Sequence, residues 1–272
     1  MLHAPSSDRY DPLSFSAHMR LRLLVLALAF PLAVSPAQHD YRNLDRDRPV
    51  ATEDAYPVEQ RALEFMAPVS VEREGGESAT MFEPEVMFGA FANGMLGLGA
   101  PVVLGEGGGL AGLRPFLFYN FNTEMPGLPA LALRADATTP VGALGGDGVL
   151  ATLTAIATRS FGVTRLHVNA AATLGDAADA PLEDAPGRWS ASLGVDHTVW
   201  RHSIALMADV GISEPLGGGD PEVVAGAGMR MQVTPTLVFD LGGARRLTRH
   251  GPDLVVTAGL TRSLGWFAGG VE

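Results

Sequence analysis

The sequence predicts an all-β chain: a transmembrane antiparallel up-and-down β-barrel of about 12 strands, with an N-terminal signal peptide. Three observations predict it. The first is alternation. In RWSASLGVDHTVWRHSIALMADVGI (188–212), Trp189, Ala191, Leu193 and Val195 share one face, and Ser190, Ser192, Asp196 and Thr198 the other. The next arm sets Ile204, Leu206, Ala208, Val210 and Ile212 against Ser203, Asp209 and Gly211. A period of two marks a strand with one apolar and one polar face. The second is length. The arms run about ten to thirteen residues, near what a tilted strand needs to cross a bilayer and longer than the roughly five or six usual in soluble sheets. The third is the polar face: Gly, Ser, Thr and Asn with isolated Asp, Glu and Arg suit an enclosed interior better than a solvated exterior.

The elements follow in order. Residues 1–18 are polar and irregular, and Met19 is expected to be the start. From there MRLRLLVLALAFPLAVSPAQ has signal-peptide order: Arg20 and Arg22, an apolar run over 23–34, then Ser35-Pro36-Ala37 as cleavage site. The apolar run is too short for a spanning helix of about 20 residues. Cleavage after Ala37 starts the mature chain near Gln38. Residues 38–59, QHDYRNLDRDRPVATEDAYPVE, are charged and carry neither period. This polar segment is expected to fold into the periplasmic mouth or the lumen as a plug. The barrel then occupies 60–272, with strands expected at 60–74, 78–92, 95–105, 110–122, 128–140, 148–160, 164–175, 188–200, 203–213, 222–233, 236–246 and 254–265. Short joins alternate with glycine-rich or acidic ones such as GEGGGLAG (105–112), GDAADAPLEDAPG (175–187) and EPLGGGDPE (214–222), as when a membrane barrel has short turns on one rim and long loops on the other.

Composition removes several function classes. All 19 basic residues are arginine, so P-loop, Schiff-base and Ser-Lys chemistry lack their lysine. A net charge of -11 leaves no basic face to displace counterions, so no nucleic-acid partner is expected. Cysteine is absent, and the 7 histidines form neither HExxH nor a closely spaced set, so no metal and no cofactor is expected. His167 with Asn169, or His202 with Asp209, lacks a nucleophile in a GxSxG context and reads as ordinary lumen or rim polarity. The glycine run at 105–112 opens no helix and reads as a flexible loop rather than a phosphate cradle.

Charge on the lipid face costs about 2–4 kcal/mol for Arg at midplane, which forces charged residues inward. The lumen-lining candidates are therefore Glu83, Glu85, Asn120, Asn122, Arg134, Asp136, Arg165, His167, Asn169, Asp196, Asp209, Arg230 and Asp240, with Glu64 in the same class. Acids and arginines sharing a confined space should form ion-pair networks. Trp189, Trp200, Trp266, Tyr119 and Phe267 sit near strand ends or on the apolar face and read as interfacial anchors.

Four stretches carry a family resemblance: YRNLDRDRPVATEDAYPVEQRALEF (41–65), FLFYNFNTEMPGLPALALRAD (116–136), ATRSFGVTRLHVNAA (157–171) and GGARRLTRHGPDLVVTAGLTRSLGW (242–266). In this order the chain resembles the bacterial outer-membrane family named for the MetA pathway of phenol degradation. The resemblance implies an outer-membrane barrel of a Gram-negative-type bacterium, a suspected transporter of small, often aromatic, molecules. It carries over no functional residues. One departure stands out: many such barrels finish on an aromatic residue read by the assembly machinery, whereas Trp266 and Phe267 are followed here by AGGVE.

The expected function is a passive channel or uptake barrel, not an enzyme, with outer-membrane lipid, the barrel-assembly machinery and an unidentified small solute as partners. The alternative is a structural or interaction barrel whose lumen is closed by salt bridges and whose acidic loops do the work. An outer-membrane lipid hydrolase is the third and weakest reading.

Overall fold

The computed structural model describes residues 41–175, 187–214 and 219–265, all within one compact unit, Ser35–Glu272. The expected signal peptide, most of the acidic 175–187 loop, and Trp266 and Phe267 lie outside the described residues.

Twelve antiparallel strands follow one another around a ring. The first four are each built from two segments: β1 from Ala62–Met66 and Val69–Glu74, β2 from Glu77–Phe82 and Glu85–Phe91, β3 from Gly94–Gly99 and Val102–Leu104, β4 from Gly109–Leu110 and Arg114–Asn122. The remaining eight run unbroken: β5 Ala130–Thr138, β6 Leu150–Phe161, β7 Thr164–Gly175, β8 Trp189–Val199, β9 Ile204–Ser213, β10 Glu222–Thr234, β11 Leu237–Arg246 and β12 Leu254–Gly265. Each pairs with its sequence neighbour, and β12 closes on both halves of β1, from Ala62↔Gly265 to Met66↔Thr261 and from Val69↔Ala258 to Leu254↔Arg73. Closure satisfies the backbone of every strand without leaving an edge, which is what a sheet in lipid requires.

The breaks correct the expectation of unbroken strands over 60–74, 78–92, 95–105 and 110–122. Pro68, Pro84 and Pro101 supply no N–H and interrupt the ladder. Their carbonyls still accept, from Glu83 (3.2 Å), Ala100 (3.0 Å) and Ala111 (2.8 Å) respectively. The interruptions therefore line up from strand to strand instead of scattering.

At one rim, where β1 begins and β12 ends, the connections include two-residue turns at 92–93, 162–163 and 235–236 and one helical turn, Trp200–Ser203. The opposite rim carries the eleven-residue connection 139–149 and the seven-residue 247–253, beside a two-residue turn at 75–76; the first rim's longest is 123–129. These are called the turn rim and the loop rim below.

The wall is inside-out relative to a soluble protein. Leu117, Tyr119 and Phe121 in β4, Leu166 and Val168 in β7, Leu193 and Val195 in β8, and Leu206 and Val210 in β9 are all exposed. Their neighbours one residue along, including Arg165, His167, Asn169 and Asp196, are buried. Soluble monomers rarely expose an apolar patch beyond a few hundred Å²; here apolar side chains face outward from strand after strand. Tyr119 sits on this face with its ring edge-on to Phe121, and Trp200 projects from the turn rim.

The expectation that the inner face is hydrophilic holds on only part of the ring. Met66, Met87, Met95, Phe116, Phe118 and Ile156 all point inward and are buried in one apolar cluster with Ala55 and Val58. In β4 both faces are apolar for several residues, so alternation by itself does not reveal which rings face in.

Candidate functional site

Residues 41–59 lie inside the ring, and the inward-pointing side chains meet them one after another. Tyr41 donates its hydroxyl hydrogen to Thr198 (3.2 Å), and Arg165 Nη2 donates to the Arg42 carbonyl. Asp45 pairs with Arg230, which is wholly buried. Arg48 Nη1 stands 3.9 Å from Asp240 Oδ2. At Pro49 the chain presses on the wall so closely that a Cβ at Gly242 would collide with the Pro49 carbonyl. Glycine is required there because nothing larger leaves room for the backbone.

The next stretch is held through its backbone. Asp209 Oδ2 accepts from the N–H of Ala51 (2.7 Å) and of Thr52 (3.2 Å), and the Thr52 hydroxyl lies 3.2 Å from Ser192 Oγ. A Cβ at Gly194 would come within 2.9 Å of the Thr52 side chain. Asn169 grips Glu53 from both sides, accepting from its N–H (2.7 Å) and donating to its carbonyl (2.9 Å). This side-chain amide does what a neighbouring strand would do, so an irregular peptide satisfies its backbone in a buried place.

Two guanidiniums then hold two consecutive acids. Arg134 donates through Nη1 to Glu53 Oε1 (3.0 Å) and through Nε to Asp136 (2.9 Å), while its plane covers the Phe116 ring at 3.7 Å. Arg46 Nη1 reaches the same Asp136 at 3.3 Å. Arg165 pairs with Asp54 (2.9 Å) and Asp196 (2.8 Å), and His167 joins Asp196 through Nε2 (2.6 Å) and Thr158 through Nδ1 (3.0 Å). Thr158 accepts from the Ala55 N–H (2.9 Å), and Asn120 donates to the Ala55 carbonyl (2.6 Å). The path ends beside β2, where the Arg61 N–H donates to the Gly89 carbonyl (2.8 Å).

Twelve of the thirteen lumen-lining candidates thus stand on the inner wall between β2 and β11. Eight of them touch residues 41–59; Glu83 instead pairs with Arg114 (3.1 Å), His167 acts through Asp196 and Thr158, Asp196 acts through Arg165, and Glu85 shares the inward face of β2 with Met87. The other, Asn122, ends β4, bonding Pro129 and Leu131 across the turn that follows. The residues that sequence reasoning missed are the inward apolar set and the wall hydroxyl of Thr158; Ser192 and Thr198 stand on the polar face where alternation through Asp196 puts them. Nothing local would have found the apolar set.

Burial pushes the Glu53 carboxyl up to about 8; the Arg134 guanidinium opposes this only in part and Asp136 adds to it. Burial raises Asp54 too, against the pull of Arg165. On the loop-rim side of the segment lies a cavity of about 300 Å³. Its floor includes Arg46, Ala51 and Glu53, and its walls come from the loop-rim ends of β6 to β10.

No protein-family model and no curated protein matches the chain. Among solved structures, an outer-membrane channel from Pseudomonas putida F1 superposes with a TM-score of 0.63 at 13% identity, covering 81% of this chain and 100% of that one. The NanC porin gives 0.54 at 5% identity, over 74% of this chain and 98% of its own. The KdgM porin in complex with disordered oligogalacturonate gives 0.50 at 8%, with the same coverage. The chain therefore has the fold of outer-membrane channels and porins.

Proposed function

We propose that the protein is a passive outer-membrane channel or uptake barrel for small molecules, and that residues 41–59 are its plug. The observation that carries this is the origin of the filling. The turn-rim half of the interior is occupied by residues 41–59, a segment that is no part of the wall, while the wall recedes to glycine where that segment passes. A ring wide enough to hold a folded-back peptide becomes a passage when the peptide leaves; a twelve-stranded ring is otherwise narrow. The apolar exterior places the strands in lipid, in the outer membrane of a Gram-negative-type bacterium, where the barrel-assembly machinery would insert them. The resemblance to the phenol-degradation family makes small aromatic compounds the first solutes to try in transport. No catalytic role is assigned.

The rival reading is a barrel that never conducts, and the dense bonding of residues 45–55 to the wall favours it. Planar-bilayer conductance of the mature chain with and without residues 38–59 separates the two. The channel reading expects a larger unitary conductance in the shortened chain. Silence in both favours the closed barrel.

A further inference from the structure

The cavity above the plug is small, at about 300 Å³, which is the lower end of the roughly 300–1,000 Å³ that ligand pockets span. Its chemistry is specific. Hydroxyls converge on it from four successive strands: Thr152 and Thr154 of β6, Thr173 of β7, Ser190 and Ser192 of β8, and Ser213 of β9. These are both donors and acceptors.

The charges in the lining are matched already. Arg188 pairs with Glu222 (3.4 Å), Arg46 with Asp47 (3.2 Å) and Asp136 (3.3 Å), and Arg114 with Glu83 (3.1 Å). A carboxylate or phosphate ligand would have to break one of these pairs. Trp189 is the sole aromatic residue in the lining, and it shares the outward face with Leu193 and Val195, so no ring offers a stacking surface. One group is unfinished. Glu53 is 3% exposed and lines the cavity, and its Oε2 has no hydrogen-bond partner among the described residues. A buried carboxyl oxygen without a partner is a standing cost that a ligand hydroxyl would remove.

We infer that this cavity is a binding site for a small, neutral, polyhydroxylated solute, a polyol or monosaccharide, seated between the hydroxyl-bearing wall and Glu53 of the plug. The inference deepens the channel reading and rests on it for the solute's route. Binding itself needs no conduction. Burial pushes the Glu53 carboxyl up to about 8, which favours its protonated form, a donor as well as an acceptor. Hydroxyls of such a solute would exchange donor and acceptor roles with Ser190, Thr154 and Glu53 together.

The test is saturation-transfer NMR on the folded full-length mature protein in detergent, titrated with D-glucose, D-glucuronate and phenol. Saturable glucose binding is expected, with glucuronate and phenol each at least about tenfold weaker, since hydrogen-bond sites reject ligands that leave them unpaired or bring unmatched charge. Thr154→Val with Ser190→Ala should weaken glucose about tenfold by removing two hydroxyls. Glu53→Gln, which keeps a donor, should bind within about threefold of the parent, whereas Glu53→Leu should not bind. Absence of saturable glucose binding, tighter binding of glucuronate or phenol, or indifference to Thr154→Val with Ser190→Ala overturns the inference. A barrel that conducts without binding glucose loses this site and keeps the channel; one that binds glucose without conducting does the reverse.

Discussion

The two sides of the interior hold the plug by different physics. From β1 to β6, Met66, Met87, Met95, Phe116, Phe118 and Ile156 pack on Ala55 and Val58, the part of the plug that leads directly into β1, and Arg134 and Asp136 of β5 add one charged contact at Glu53 and Arg46. From β7 to β11 the hold is polar throughout: Arg165, steadied by Asp196, with Asp209, Arg230 and Asp240 holds residues 42–54 by charge and directed hydrogen bonds. Apolar contact is non-directional and carries no titrating group. Buried charge is conditional on its partner. The charged side also carries incompletely satisfied buried atoms, including Arg230 Nε and Nη1, Asp240 Oδ1 and Oδ2, and Asp196 Oδ1, which have no hydrogen-bond partner among the described residues. Each such atom costs roughly 1–3 kcal/mol against a satisfied one. The contrast makes one side an anchor and the other a latch.

The largest effect is expected on the latch. Arg165→Met leaves Asp54 and Asp196 buried without their guanidinium, and breaking a buried pair this way costs about 3–5 kcal/mol. Trypsin should then cut after Arg42 and Arg46 while the parent resists and the heat-modifiable gel mobility of the barrel persists. Equal resistance would break the contrast. On the anchor, Met87→Ala should cost about 3 kcal/mol of cavity and lost transfer energy. It should lower the temperature at which heat-modifiable mobility is lost without opening the trypsin sites. A purely steric change comes next. Gly242→Ala drives a methyl into Pro49 and should release the plug at a cost of about 1–3 kcal/mol, whereas Gly211→Ala, whose Cβ would meet nothing nearer than 3.8 Å, should leave proteolysis unchanged.

A further effect is that of pH. Docked, Glu53 titrates near 8, facing Arg134, Asp136 and Arg46; released into water it titrates near 4.5. The docked state holds the extra proton, so docking is strongest below 4.5 and weakens as pH rises to about 8. Asp54, also raised, acts in the same direction. Trypsin cleavage at Arg42 should therefore rise between pH 6 and 8.5, after correction with an unfolded control. Glu53→Gln should flatten that rise.

The strands were legible because each needs only its own alternation. All twelve stand where the spacing expects them, and the outward set such as Leu193, Val195, Leu206 and Val210 follows from parity. Pro68, Pro84 and Pro101 were visible, but their alignment depends on register between strands, which no single strand encodes. Arg134, Arg165 and Asp209 were legible as inward charges because lipid excludes them. Their partners were not. Glu53, Asp54 and Thr52 come from a segment with no period, joined to the wall across more than 80 residues of sequence. Phe116 and Phe118 were hidden by their own neighbours: Leu117 and Tyr119 are just as apolar, and only the three-dimensional partner, Arg134 over the Phe116 ring, distinguishes the two faces.

The chain has no cysteine, so a single engineered pair can lock the plug to the wall. The Thr52 and Ser192 side-chain oxygens lie 3.2 Å apart, close enough for Thr52→Cys with Ser192→Cys to form a disulfide. Conductance of that full-length variant in planar bilayers should be minimal when oxidised and should rise on adding a reductant, with the cysteine-free parent unaffected. Identical conductance before and after reduction, with the cross-link verified by mass, would contradict a plug that moves.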